Sequence, residues 1–130
     1  MNTGELSGIT VFDVAMVGGV QVFISMLCVS VSRAAASGSL TRNGFIGIRI
    51  PSTMSSDEAW TAGHRAAVPL MSISVFIVGV FLLVAAVLVV MDLVAAAFAV
   101  TWVGFVAMMG MLIASSVKAS RAARAVDAAA

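Results

Sequence analysis

From Pro69 to Val117 the chain runs for 49 residues with a single charged side chain, Asp92. One helix of that length would measure roughly 74 Å, against about 30 Å for the hydrocarbon core of a bilayer. The stretch must therefore cross, turn and cross back. Asp92 resists burial in lipid more strongly than any other residue in it, which places the turn at Met91-Asp92-Leu93. The spans on either side are residues 70–90 and 94–117. A third apolar run, residues 9–31, precedes them. It carries Asp13 near its start, expected at headgroup level, and Gln21 near its middle, expected to face another helix. The pattern predicts an all-α integral membrane protein of three transmembrane helices in one membrane domain, residues 1–130.

Small residues mark where helix backbones approach closely. In the first span these are Ala15, Gly18 and Gly19. In the third they are Ala95, Ala96, Ala97, Ala99, Gly104, Ala107 and Gly110. The second span, rich in Val, Leu, Ile and Phe, is expected to meet much lipid.

Residues 32–67 form the polar connection between the first two spans. Ser37-Gly38-Ser39 and Asn43-Gly44 have turn chemistry. Ile50 precedes Pro51 and is expected to be extended. A helix is expected to start at Ser55 or Ser56, and Ser55-Ser56-Asp57-Glu58 reads as a capping box with Ser55 as the cap and Glu58 reaching back. A short interfacial helix follows, ending or kinking at Pro69. It places Asp57, Trp60, Thr61 and His64 on one face, with Trp60 in the aromatic belt.

Charge adds sidedness. All seven Lys and Arg residues lie in the connection (Arg33, Arg42, Arg49, Arg65) or in the tail, residues 118–130 (Lys118, Arg121, Arg124). Three spans put both regions on one side, and the positive-inside rule makes that side the cytoplasm. The N-terminus, Glu5, Asp13 and the Asp92 turn then face outward. Lys118, Arg121 and Arg124 recur every three residues and are expected to reach lipid headgroups. The first 32 residues hold no Lys or Arg, so the first apolar run reads as a retained helix and not as a signal peptide. The cations form no dense patch of the kind that binds nucleic acid. With one Cys (Cys28) and one His (His64), neither an intrachain disulfide nor a Cys/His metal site is expected, and no cofactor is implied.

Residues 43–65, NGFIGIRIPSTMSSDEAWTAGHR, carry more pattern than a connecting loop needs. They resemble the signature of the SdpI-type family of small bacterial membrane proteins, which includes an immunity protein against a secreted toxin. The matching positions are Asn43, Gly47, Arg49, Pro51, Thr53, Ser55, Glu58, Trp60, His64 and Arg65. Ile50 departs from the pattern, where Thr is common. The resemblance implies two closely spaced spans after the motif, as found, and a binding role for the motif residues. Read as residues, Gly44 and Gly47 permit tight turns, and Arg49 offers a donor fork suited to a carboxylate (Asp57 or Glu58) or a lipid phosphate. The ordinary alternative is that Arg49, Trp60, His64 and Arg65 anchor the loop to its own helices and the headgroups.

Catalysis is not expected. Asp57 and Glu58 are adjacent and diverge on a helix, and Ser55 lies more than two turns from His64. Two readings remain. One is a regulatory or immunity protein of the inner membrane that binds a partner or lipid through residues 43–65. The other is a structural accessory subunit of a larger inner-membrane complex, such as a respiratory or transport assembly, joined through small-residue helix faces.

Overall fold

The computed structural model describes residues 8–130, so Glu5 lies outside the described residues. The chain folds into α1 (Val11–Ala36), α2 (Asp57–Val90) and α3 (Val94–Asp127), with no strand among the described residues. All three helices are long and apolar enough to cross a membrane. The protein is a multi-pass membrane protein of all-helical architecture.

Helix length decides the shape. α1 has 26 residues and α2 and α3 have 34 each, about 39, 51 and 51 Å. The hydrocarbon layer takes about 30 Å of each. α2 and α3 form an antiparallel pair joined at residues 91–93, where the apolar stretches begin, so their surplus length projects on the opposite side. The far end of α1 and the 37–56 connection lie there too. α2 is central, packing most extensively on α3 and next on α1, while α1 and α3 touch only narrowly.

The turn at residues 91–93 closes as its sequence predicts. Asp92 takes φ 64°, the Leu93 N–H donates to the Leu88 carbonyl, and the Asp92 N–H donates to that of Val89. This is the left-handed helix stop that Gly usually fills, and Asp tolerates it better than a branched residue. Asp92→Gly is therefore expected to hold or raise the thermal midpoint in detergent, and Asp92→Val to cost about 1–2 kcal/mol. Equal midpoints for the two variants would contradict this account of the turn.

Between the helices the core is small-residue and hydroxyl-rich. Ala67, Ala85, Ala97, Ala119 and Ala123 are buried with Ser25, Ser32, Ser74, Thr101 and Ser115. Most of the hydroxyls return to their own helix, as Thr101 does to the Ala97 carbonyl at 2.9 Å and Ser74 to that of Met71 at 2.7 Å. A polar group in lipid must find a partner within the protein, and this is the shortest route to one. Gln21 faces another helix as expected. It is fully buried and its Nε2 donates to the Thr101 carbonyl of α3 at 2.9 Å. Gly18 is the close-approach glycine of α1, since a Cβ there would lie 2.8 Å from Leu82 Cδ2. Gly19 meets nothing within 4 Å.

Several boundaries differ from the sequence expectation. α1 starts two residues later than Ile9 because Thr10 and Asp13 form a capping box, the Thr10 N–H donating to the Asp13 carboxylate at 2.7 Å. The expected box at Ser55 does not form. Ser56 is the cap, accepting from the Ala59 N–H at 3.0 Å, and the Ser55 hydroxyl instead lies 2.7 Å from both the Ser52 carbonyl and the Asp127 carboxylate, which share its one proton. The short interfacial helix is not separate. It is the first turns of α2, which passes through Pro69 without a break. Pro69 sits where the apolar stretch begins, so water can reach the Arg65 carbonyl that loses its N–H partner. The 118–130 tail is the helical end of α3, and the connection shortens to residues 37–56.

Candidate functional site

The 37–56 connection is a folded cap on the projecting helix ends. α1 stops at Ser37, Gly38 takes φ 79°, and the Leu40 N–H returns to the Ala34 carbonyl. Asn43 then organises a turn of its own. Its Oδ1 accepts from the N–H groups of Phe45 and Ile46 at 2.9 and 3.0 Å, and its Nδ2 donates to the Thr41 carbonyl. An Asn side chain standing in for backbone is the usual way such a turn is held.

Gly47 follows at φ 108°, a conformation that disfavours any side chain. Space forbids one as well. A Cβ there would lie 2.5 Å from Trp60 Cη2 and 2.8 Å from His64 Nε2. The loop backbone thus rests directly on two rings of α2. Trp60 and His64 pack with centroids 4.1 Å apart and their planes tilted by 47°, and both are buried.

His64 joins loop to helix. The Ile48 N–H donates to its Nε2 at 2.8 Å, and its Nδ1 lies 2.8 Å from the Trp60 carbonyl. A carbonyl can only accept, so Nδ1 carries the proton and Nε2 is bare: the ring is neutral. It lies outside the 70–90 apolar stretch, and burial holds its pKa below the ordinary histidine value, against a smaller opposing effect of the Trp60 carbonyl. Thr53, fully buried, completes the clasp. Its hydroxyl donates to the Ile48 carbonyl and accepts from the Ile50 N–H at 3.2 Å.

Because the folded state depresses the His64 pKa, the unfolded chain takes up the proton first. His64 therefore contributes full stability above about pH 6.5, which is lost as pH falls through the lower folded value. The thermal midpoint in detergent is expected to be level from pH 8 to 7 and to drop as the pH falls below about 6.5. His64→Gln should flatten that drop. A drop of the same size in the variant would assign it to another group.

Further ties bind the cap to α3 and to the start of α2. Ser52 and Ser120 hydroxyls lie 3.0 Å apart, and Ser55 reaches Asp127 at 2.7 Å. Arg42 donates to Asp57 at 2.9 Å and to the Met54 carbonyl at 2.6 Å, and Arg65 donates to the Ala36 carbonyl at 3.3 Å. The Arg42–Asp57 pair is exposed and adds little by itself.

The motif residues therefore divide. Asn43, Gly47, Thr53, Trp60, His64 and Arg65 are brought together as the internal framework of the cap, with Pro51 in the turn whose Met54 N–H returns to the Ile50 carbonyl at 3.1 Å. Three expectations are corrected here. Trp60 is not an aromatic-belt residue: it is 1% exposed, and its Nε1 donates to the Leu40 carbonyl at 3.0 Å. Glu58 is exposed in the first turn and does not reach back to a cap. Arg49 pairs with neither Asp57 nor Glu58, because Arg42 holds Asp57. Arg49 is exposed and uncommitted among the described residues. Lys118, Arg121 and Arg124 share the outer side of α3, opposite the buried Ala119 and Ala123.

Sequence reading missed Gly63. A Cβ there would lie 2.7 Å from Thr53 Cγ2 and 3.2 Å from the Ala119 carbonyl oxygen, so this glycine lets α2 meet loop and α3 at once. Its place one residue before His64 was the available signal. Among the described residues no group of His, Cys, Asp and Glu is placed to hold a metal ion.

The fold and cap together define a small three-helix membrane protein whose one elaborated feature is an ordered loop clasped onto its helix ends. The SdpI/YfhL protein family matches residues 39–117, well over half of the chain, spanning the cap and the two closely spaced helices. The chain belongs to that family, a family of small membrane proteins of the immunity and regulatory kind. No curated protein and no solved structure matches the chain.

Proposed function

We propose that this chain is a non-enzymatic binding protein of the bacterial inner membrane. Its 43–65 cap is the binding surface, held at the cytoplasmic face with the C-terminal end of α3. The observation that carries the reading is the division of labour within the motif. Asn43, Gly47, Thr53, Trp60 and His64 fix the cap backbone, whereas the Arg49 side chain makes no bond among the described residues and Phe45 is 90% exposed. A loop that served only as a connection would need no such framework. Orientation rests on charge: all seven cations lie on the cap side of the three spans. Family membership supports a regulatory or immunity role for the bound state.

A photo-reactive residue at Thr61, on the cap-side surface of α2, tests this in living cells. One discrete protein adduct is expected from Thr61, and none from a lipid-facing control at Val80. Adducts at neither position would remove the protein-binding reading.

A second reading, an accessory subunit of a larger assembly, has its own support. Gly19, Gly79 and Gly110 are exposed, one on each helix, with nothing within 4 Å of the position a Cβ would take. Backbone left open inside a membrane suits a neighbouring helix. Purification in mild detergent through a tag on this chain separates the two: a stoichiometric large complex favours the accessory subunit, and recovery of the chain alone favours the binding protein.

A further inference from the structure

Arg49 lines a groove of about 520 Å³ between α1, α2, the cap and α3. Leu27, Cys28 and Val31 of α1, Ile48 of the cap and Leu112 of α3 line it. Because α1 and α3 touch only narrowly, this gap stays open from the cap down into the apolar spans. Leu27–Val31 and Leu112 occupy the cap-side ends of their spans, the level at which lipid chains meet headgroups. We propose that the groove seats one anionic phospholipid, its phosphate on Arg49 and an acyl chain along Leu27, Val31 and Leu112. The proposal rests on the reading of the cap as a binding surface and names the chemical class of a ligand for it.

Three observations converge. The first is that Arg49 is the uncommitted cation of the cap. Arg33 donates to Ser72, Arg42 to Asp57 and Met54, and Arg65 to Ala36, while Arg49 makes no bond among the described residues. The second is that its backbone is pinned on both sides. The Ile48 N–H is held by His64, the Ile48 carbonyl by Thr53, and the Ile50 N–H by Thr53. A fixed backbone with a free guanidinium is a preorganised phosphate fork. The third is that Phe45 and Ile46, 90% and 48% exposed, line the same groove. Apolar side chains at a rim beside a cation match the interface of a bilayer and not open water.

Charge also selects the headgroup. Among the described residues no Asp or Glu lines the groove, so the ammonium of a zwitterionic lipid finds no partner there, whereas a net-negative headgroup needs none. Leu27, Val31 and Leu112 give the groove an apolar wall beyond Arg49 that a bare phosphate ion would leave unused.

Native mass spectrometry of the full chain in detergent tests this with phosphatidylglycerol and phosphatidylcholine of matched chains. Wild type is expected to retain one phosphatidylglycerol with about tenfold preference over phosphatidylcholine. Arg49→Gln should lose the preference while its thermal midpoint in phosphatidylcholine stays at the wild-type value, because Arg49 bonds to none of the described residues. Leu27→Trp, which narrows the groove at a half-exposed position, should weaken retention of the lipid. Glycerol phosphate, which lacks chains, should not compete at lipid-saturating concentrations. Equal retention of the two lipids by wild type, an intact preference in Arg49→Gln, unchanged retention in Leu27→Trp, or competition by glycerol phosphate would each overturn the proposal. None of these readouts depends on a protein partner, so they stand or fall separately from the Thr61 adduct.

Discussion

Gly47→Ala is expected to detach the cap from α2 while leaving the three spans in place. Two costs combine. The φ of 108° at Gly47 is one that a side chain disfavours, and the new Cβ would meet Trp60 and His64 at 2.5 and 2.8 Å. Strain of this kind costs about 1–3 kcal/mol, and forced overlap in a packed site about as much again. Neither ring can retreat easily, since each is fixed by its own hydrogen bond, to Leu40 and to Ile48. Moving the loop outward instead breaks the bond from Ile48 to His64. Trypsin reports the outcome directly, because Arg42 and Arg49 are cleavage sites within the cap. Cleavage in detergent is expected to accelerate by at least about tenfold, corresponding to roughly 1.4 kcal/mol of easier opening. An unchanged rate would show that the cap is not clasped at Gly47.

Trp60→Ala is expected to be as severe for a different reason. Trp60 is the largest fully buried side chain, and its removal leaves a cavity beneath the loop. Aromatic truncations of this type cost about 3–5 kcal/mol. The Leu40 carbonyl also loses its donor, so the start of the connection loosens along with its middle. Trp60→Phe separates the two contributions: it keeps a ring and should cost nearer 1 kcal/mol for the lost hydrogen bond. Trp102→Ala is the control, since Trp102 is 44% exposed on the outer side of α3. Thermal unfolding in detergent should rank Trp60→Ala well below both. Trp102→Ala falling as far as Trp60→Ala would mean that the cap contributes no more than the lipid-facing surface.

The three spans were legible because bilayer thickness is a strong ruler and Asp92 is a lone charge. The same reasoning found Gln21, whose amide had nowhere to go except another helix. The cap was legible only as a set of residues. Their roles depend on which side chains meet across distance, and local periodicity does not contain that. Asp57, Trp60 and His64 share helical spacing, yet Trp60 and His64 face a loop that covers them while Asp57 stays exposed. Read without the loop, Trp60 looked like a belt residue. The capping box shifted for a similar reason. Two adjacent serines offer two starts, and Asp127, 72 residues away, draws Ser55 out of the role. The residue type alone allows Arg49 a carboxylate or a lipid phosphate, and the Asp57 carboxylate is taken by Arg42.

The bonds from Ser52 to Ser120 and from Ser55 to Asp127 have a consequence for biosynthesis. They join positions 68 and 72 apart in sequence, across both later spans. At about 5–20 residues per second, a ribosome needs several seconds to make that intervening chain. The first helix and its following segment thus enter the bilayer with their eventual partners still unsynthesised. The ties from the cap to α3 are therefore the last to form, and a nascent chain cut short before Ser120 has its loop held on α2 through His64 and Trp60 without them.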